Sequence, residues 1–472
     1  MHKDTLFFET IGSFIKKSGK VSSLIYSTLS KSEWKVSQDT RSIYNRTSLV
    51  KLLIIMKFLD IPNVHRAFGF DFVNLLPFGK DVLYKIKNSV SINWRKLLLN
   101  QSFASLEGIE IKDNPKKSDE VPCFIVDDTD IPKTGKRIEL IGRIFSHVGL
   151  GYKFGFKSLN LAYWTGKNLF HLDFSYHIEL GKKKKQGLSN KERKQRYTKK
   201  RKTTTQSYQR IKETQAKKAD NAMQMIKRAI KKGFKAQYIL ADSWFFSSSL
   251  VEFSKEIGIH LITRPKFNNW KYRYDEKDYT IGHLVRKLQH SDKKKWSSKL
   301  RRNCIKVKVK FKDVDMVLFL YKERKRGVKW QAIITTDKSI TAIKAFEIYQ
   351  NRWAIETSFK ELKQHLGYGK SQSRDFDAHI SDATHTLMAY NYLSQVKAIN
   401  DHQSIGALFK EVSKNWLKPN IMQNFWNSFS NAFQKLATLF NKSVDDIIEM
   451  AVTNDSLLLT LKSIFGEMST ET

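Results

Sequence analysis

Tyr349, Arg352, Glu356 and Lys363 stand at offsets of 0, 3, 7 and 14 in the stretch YQNRWAIETSFKELK. At about 100° per residue they fall at roughly 0°, −60°, −20° and −40°, inside one arc of a helix. Ile348, Ile355, Phe359, Leu362 and Leu366 form an apolar stripe beside that arc, so the polar row borders a buried face. This is a carboxylate flanked by two cations and a phenol at the edge of a core, where the cations would serve as phosphate clamps. The competing reading is a solvated face with incidental charges. Further carboxylates end apolar runs: Asp127 and Asp128 in CFIVDDTD, and Asp242 in AQYILADSWF. Each alone reads as turn chemistry at the end of a strand. Delivered together from two strand ends and a helix, three carboxylates suit two-metal phosphoryl chemistry. Two Mg2+ or Mn2+ ions about 4 Å apart then activate the attacking oxygen and steady the leaving one.

Those side chains converge only if the surrounding elements bring them together. CFIVDDTD reads as a buried strand, and GYKFGFKSLNLAYW and NLFHLDFSYHIE follow as strands joined by the turn TGKN. The last alternates, with Phe170, Leu172, Phe174, Tyr176 and Ile178 on one face. Next come a basic stretch, a helix near 205–232, the strand AQYILADSWF, a helix near 247–257 and the strand IHLITRP. This order predicts an α/β fold with a ribonuclease-H-like sheet. Its first and fourth strands lie side by side and bring DDTD near Asp242. Residues 266–337 are too long for a loop and contain the alternating runs CIKVKVKF and MVLFLY, which predict a β-rich insertion. Residues 1–118 read as a helical domain closing in the polar linker KDNPKKSDEVP, and 119–394 as the catalytic domain interrupted by the insertion. Residues 395–472 read as helical again.

Charge indicates the partner. The 472 residues contain 84 Lys+Arg against 46 Asp+Glu, a formal net charge of +38, which points to a polyanion. Membrane lipid is disfavoured because the most apolar run, LVKLLIIMKFLDI, is interrupted by Lys51 and Lys57. The start MHKDTLFFET has no secretory pattern, and Cys123 and Cys304 form neither a disulfide framework nor a zinc motif, so a cytoplasmic protein is expected. The histidines lack metal-ligand spacing and read as structural. From Lys182 to Lys218 there are 16 Lys+Arg and two acids, which predicts a solvated, disordered loop that orders on a DNA backbone. Lys199, Lys200, Arg201 and Lys202 are its expected DNA-binding residues.

The stretch YQNRWAIETSFKELK resembles the Tyr-x2-Arg-x3-Glu-x6-Lys signature of IS-four family insertion-sequence transposases, members of the DDE recombinase superfamily. VDDTDIPKTGKRIE and LADSWFFSS resemble the first and second Asp blocks of that family, and the likeness covers roughly residues 121–395. The resemblance implies Asp127, Asp242 and Glu356 as the catalytic, metal-binding acids. Asp127 fits the pattern Asp-x-Ser/Thr-x-Leu/Ile through Thr129 and Ile131, with Asp128 as the neighbouring alternative. The second block departs in reading Asp-Ser-Trp-Phe, where the family often has a small residue before the aromatic. Tyr349, Arg352 and Lys363 are then implied to grip phosphates of double-stranded DNA. Trp330, in GVKWQAIITTD, matches a Trp that stacks on a flipped base in related enzymes, with core packing as the other reading. The implied activity is Mg2+-dependent cutting of element ends and transfer of the freed 3′-OH into target DNA, by a homodimer in the bacterial cytoplasm at the nucleoid. The helical ends correspond by position to DNA-binding and dimerisation regions. Two alternatives stay open: a nuclease of the same fold that never joins strands, and a catalytically idle DNA-binding repressor.

Overall fold

The computed structural model describes residues 20–417 apart from 33, 39–41, 60–63, 68–77, 111–119, 147–149, 179–187, 326 and 401–403, with isolated positions between 438 and 449. Lys182–Lys185, the linker after residue 110 and nearly all of the chain beyond 417 therefore lie outside the described residues. Among the described residues five helices come first: α1 (Lys20–Lys31), α2 (Arg46–Phe58), α3 (Val64–Ala67), α4 (Lys80–Lys87) and α5 (Trp94–Glu110). Asn45 starts α2 by accepting the backbone N–H groups of Thr47 and Ser48, which satisfies two donors the first turn leaves free.

The sheet begins with β1 (Cys123–Pro132), β2 (Gly142–Ser146), β3 (Gly151–Trp164) and β4 (Leu169–His177). After α6 (Asn190–Lys194), α7 (Gln206–Glu213) and α8 (Lys218–Lys232), the chain returns as β5 (Tyr238–Ala241), α9 (Ser248–Glu256) and β6 (His260–Thr263). β1 runs antiparallel to β3 and parallel to β5, β4 pairs antiparallel with β3, and β5 runs parallel to β6. The adjacency expected between the first and fourth long strands is thus present, as β1 beside β5. Two features escaped the sequence pattern. β2 is short, with only Gly142, Ile144 and Ser146 buried, and the helix expected near 205–232 is broken in two at Thr214–Lys217, where the Thr214 hydroxyl donates to the Ile211 carbonyl.

The insertion comprises β7 (Tyr272–Tyr274), β8 (Lys277–Tyr279), α10 (Ile281–Leu288), β9 (Lys294–Ser297), β10 (Arg302–Phe311), β11 (Val314–Glu323) and β12 (Gln331–Thr335). It is not set apart from the main sheet. β12 pairs with β6 through Ile334–Thr263 and Thr335–Ile262, so the insertion extends one sheet to 12 strands. Alternation along β10 and β11 supplies the core beneath it, from Ile305, Val307 and Val309 to Leu318 and Leu320.

The last helices among the described residues are α11 (Ala342–Gln350), α12 (Trp353–His365), α13 (Phe376–Asn400) and α14 (Ile405–Leu417). α13 is buried on every side, so its polar groups need internal partners. Asp382 receives Lys57 of α2 at 3.0 Å and Lys87 of α4 at 3.2 Å, while Asn391 accepts the His171 backbone N–H at 2.8 Å. The boundary read at residue 394 falls inside α13, and one hydrophobic cluster runs from Val21 through β1 and α12 to Val412. No helix among the described residues is long and apolar enough to cross a membrane.

Candidate active site

Alternation along β1 decides which way each acid points. Cys123 and Ile125 pack into the cluster that contains Ile355, Phe359 and Leu362 of α12, whereas Phe124 and Val126 pack on the opposite side of the sheet with Met225, Ile226 and Ala229 of α8. Asp127 continues the first face and Asp128 the second. The contacts agree: Asp127 meets Arg352 at 2.9 Å, and Asp128 is ion-paired with Lys218 at the start of α8. Val126 pairs with Ala241, so Asp127, inside β1, and Asp242, just past the end of β5, stand at one level; β1 does not end in its acids as expected but pairs with β3 as far as Pro132.

The signature segment is two helices. Backbone N–H groups of Asn351, Arg352, Ala354 and Ile355 donate to carbonyls three residues back, tightening the chain between α11 and α12. The wheel drawn for one continuous helix therefore does not hold across the joint. The apolar stripe is buried as read, from Ile348 to Leu366, but Tyr349 and Arg352 are buried too, where the wheel set them at a core's edge. Glu356, in the first turn of α12, keeps its carboxylate where the helix dipole favours negative charge.

Arg352 ties two of the acids together, its Nη1 donating to Asp127 Oδ2 at 2.9 Å and its Nη2 to Glu356 Oε1 at 2.6 Å. The Asp128 backbone N–H adds a bond to Asp127 Oδ1 at 2.8 Å. Burial outweighs both in setting the Asp127 carboxyl, pushing it up to about 7. The Tyr349 ring lies between two guanidinium groups, Arg264 at 5.7 Å and Arg352 at 5.8 Å. Burial, opposed by those cations and reinforced by the charge of Asp242, raises its phenol to about 12. Lys363 is half-buried and donates to Thr129 Oγ1 at 2.6 Å; burial lowers its pKa from the ordinary lysine value.

A divalent cation needs several oxygen ligands around one point. The three carboxylates are of the right chemical type, but among the described residues no three His, Cys, Asp or Glu side chains gather closely enough to hold an ion. The reason is visible between Asp127 and Glu356, where the guanidinium of Arg352 lies.

Trp330 is half-buried and lines a cavity of about 540 Å3 with Ser243, Arg264, Lys266 and the exposed Phe267. A second cavity of about 180 Å3 shares Arg264 and Gln331 with it and reaches Tyr349 and the exposed Trp353. Two adjoining cavities, which make up one groove, thus bring cations and aromatic faces together between Ser243 and Trp353. Arg264, Phe267 and Trp353 escaped the sequence reading. An aromatic immediately after Arg352, where the helix turns to solvent, was the one signal available.

From residue 188 onward the basic segment is not the open loop expected of it; residues 182–187 lie outside the described residues. Ser189 and Glu192 form a capping box on α6, and α7 occupies 206–213. The Arg201 side chain, only 1% exposed, bonds Glu139 at 2.6 Å and Asp377 at 3.1 Å. Lys199 bonds Asp375 at 2.8 Å and Asp377 at 3.0 Å. Their charges are spent inside the protein, where three acids distant in sequence meet them. Lys200 and Lys202 are exposed.

A family model described as a transposase DDE domain matches residues 122–392, more than half of the chain. No curated protein matches it.

Proposed function

The chain belongs to the transposase DDE-domain family, and from that membership we propose a DNA transposase of the IS-four kind that cuts element ends and joins the freed 3′-OH to target DNA. One observation carries the residue assignment: Asp127 on β1 and Asp242 just after β5 stand at one level of paired strands, and Arg352 links Asp127 to Glu356. The strand run β4-β3-β1-β5-β6, with its first three strands antiparallel and its last three parallel, supports a ribonuclease-H-like core.

In this reading Asp127, Asp242 and Glu356 hold two Mg2+ or Mn2+ ions, which when bound supply Lewis-acid activation of the attacking oxygen and charge stabilisation of the leaving one. Arg352 must leave the carboxylates for that, and a DNA phosphate is the partner its fork fits. Lys363 and Tyr349 flank it. Asp128, paired with Lys218 across the sheet, is a support rather than a ligand. A base displaced from the duplex end fits the groove, where Trp330 offers a ring and Arg264 and Lys266 offer charge. Double-stranded DNA is the partner, and a homodimer in the bacterial cytoplasm would pair two ends.

The test incubates purified protein with a labelled terminal fragment and Mg2+. Asp127→Ala, Asp242→Ala and Glu356→Ala are each expected to abolish cleavage while leaving end binding within a few fold, since binding rests on many phosphate contacts. Loss of specific binding together with cleavage would count against metal ligation. Cleavage without joined products would favour the nuclease alternative.

A further inference from the structure

We infer that a cavity beyond the far end of β1 is a second DNA-backbone site, a clamp that grips a duplex away from the reacting phosphate. The inference rests on the transposase reading for the duplex, and on the following geometry for the site. Lys136, Arg137, Glu192, Gln195, Gln372 and Arg374 line a space of about 500 Å3. Its single carboxylate is already engaged, since Glu192 accepts Lys136 at 2.6 Å and closes the capping box of α6. Arg137 and Arg374 are exposed, and among the described residues neither side chain has a hydrogen-bonding or ionic partner. Three cations therefore face one acid, with the two glutamine amides as neutral donors. Guanidinium forks in such a setting fit phosphodiester oxygens.

The walls are fixed to the catalytic elements. β1 carries Asp127 and runs on to Pro132; the next residue, Lys133, is buried and donates to the carbonyls of Gly369 and Ser371 in the loop after α12. The Glu139 backbone N–H donates to the Arg374 carbonyl at 2.9 Å, and that of Tyr197 donates to the Arg137 carbonyl at 2.9 Å. Arg201 and the Phe376 backbone hold the Glu139 carboxylate from behind. Two cations that the sequence assigned to DNA thus brace the walls: Arg201 bonds Glu139 behind the loop that presents Arg137, and Lys199 bonds Asp375 next to Arg374. The cavity is consequently in register with Asp127 on β1 and Glu356 on α12. From Asp127 to Pro132 the strand advances roughly 17 Å at about 3.3 Å per residue.

The gripped DNA backbone can belong to the element end or to the target, and the test separates them. Arg137→Gln/Arg374→Gln protein and wild type are titrated with two labelled duplexes of about four helical turns, one ending in the element terminus and one of unrelated sequence, across a salt series. For the duplex the clamp holds, the log–log salt slope should flatten by about 1.8, two contacts at about 0.9 each. Arg137→Lys/Arg374→Lys should recover most of the slope, which also excludes misfolding as the cause. Unchanged slopes on both duplexes overturn the clamp. So does calorimetric binding of inorganic triphosphate that the glutamine protein loses while keeping its DNA slopes, because the cavity then takes a free phosphate ligand. A protein that never cuts DNA yet shows the slope change would sink the transposase reading and leave the clamp standing.

Discussion

Arg352 bridges Asp127 and Glu356, so if those carboxylates are the proposed metal ligands, arginine and metal would compete for them. Arg352→Gln is therefore expected to bind Mn2+ about tenfold more tightly than wild type when DNA is absent, a difference of about 1.4 kcal/mol, read by calorimetry or by loss of the free-ion electron spin resonance signal. In wild type the same tightening should appear only when end DNA is added, and equal affinity in both proteins would remove the competition. Asp127 makes a second prediction. Its carboxyl, held up to about 7 chiefly by burial, binds more protons in the native than in the unfolded chain from about pH 4 to about pH 7. Stability should consequently fall as pH rises through that window. Thermal melts of wild type should show the fall, and Asp127→Asn, which cannot ionise, should show much less of it. Ion binding should also release more protons at pH 6 than at pH 8, because bound carboxylates must be ionised.

Elements decide which of the sequence's charges can reach DNA. Arg201 is inside, and removing one partner of a buried ion network costs about 3–5 kcal/mol. Arg201→Gln is therefore expected to lower the melting temperature sharply. Lys200→Gln and Lys202→Gln should leave it unchanged and flatten the DNA salt slope by up to about 0.9 each; identical behaviour of all three would contradict the placement. Composition could not make this distinction, because Glu139, Asp375 and Asp377 are distant in sequence and only the fold brings them to residues 199–201. What depended on short-range alternation was legible: the long β3 and β4, the apolar stripe through α12, and the acid just after β5; the strand read as ending in DDTD instead pairs with β3 as far as Pro132. What depended on tertiary approach was not, including the tight joint that splits the signature between α11 and α12, and the Arg264 charge over Tyr349. Trp330 lies between these cases. It packs partly against the core yet lines the groove, so Trp330→Ala should spare the first nick and slow the later step that needs a displaced base, while Trp330→Phe should be milder because stacking on an aromatic is worth roughly 1–3 kcal/mol per base. An alanine protein that loses the first nick equally would make Trp330 a packing residue alone.

At the scale of the molecule, α13 joins regions that the sequence divides. Its Asp382 is fully enclosed and held well below the usual carboxylate range by Lys57 of α2 and Lys87 of α4, against a burial cost that acts the other way. That favourable ionisation is present at neutral pH and lost only as pH falls below the ordinary carboxylate value towards the depressed one. The helices before residue 118 are thus fastened to the catalytic sheet by charge as well as by the shared cluster from Val21 to Val412. They are expected to unfold with the sheet in one calorimetric transition, not ahead of it. Asp382→Ala leaves two buried lysines without their acid and should lower that transition by about 3–5 kcal/mol at pH 7, with amides of α2 and α4 losing hydrogen-exchange protection first. Two resolved transitions in wild type, or an alanine variant as stable as its parent, would show the N-terminal helices to be an independent unit. The consequence for function follows from the same bonds, since helices fixed to α13 hold any DNA they contact in a set register with Asp127 and Glu356.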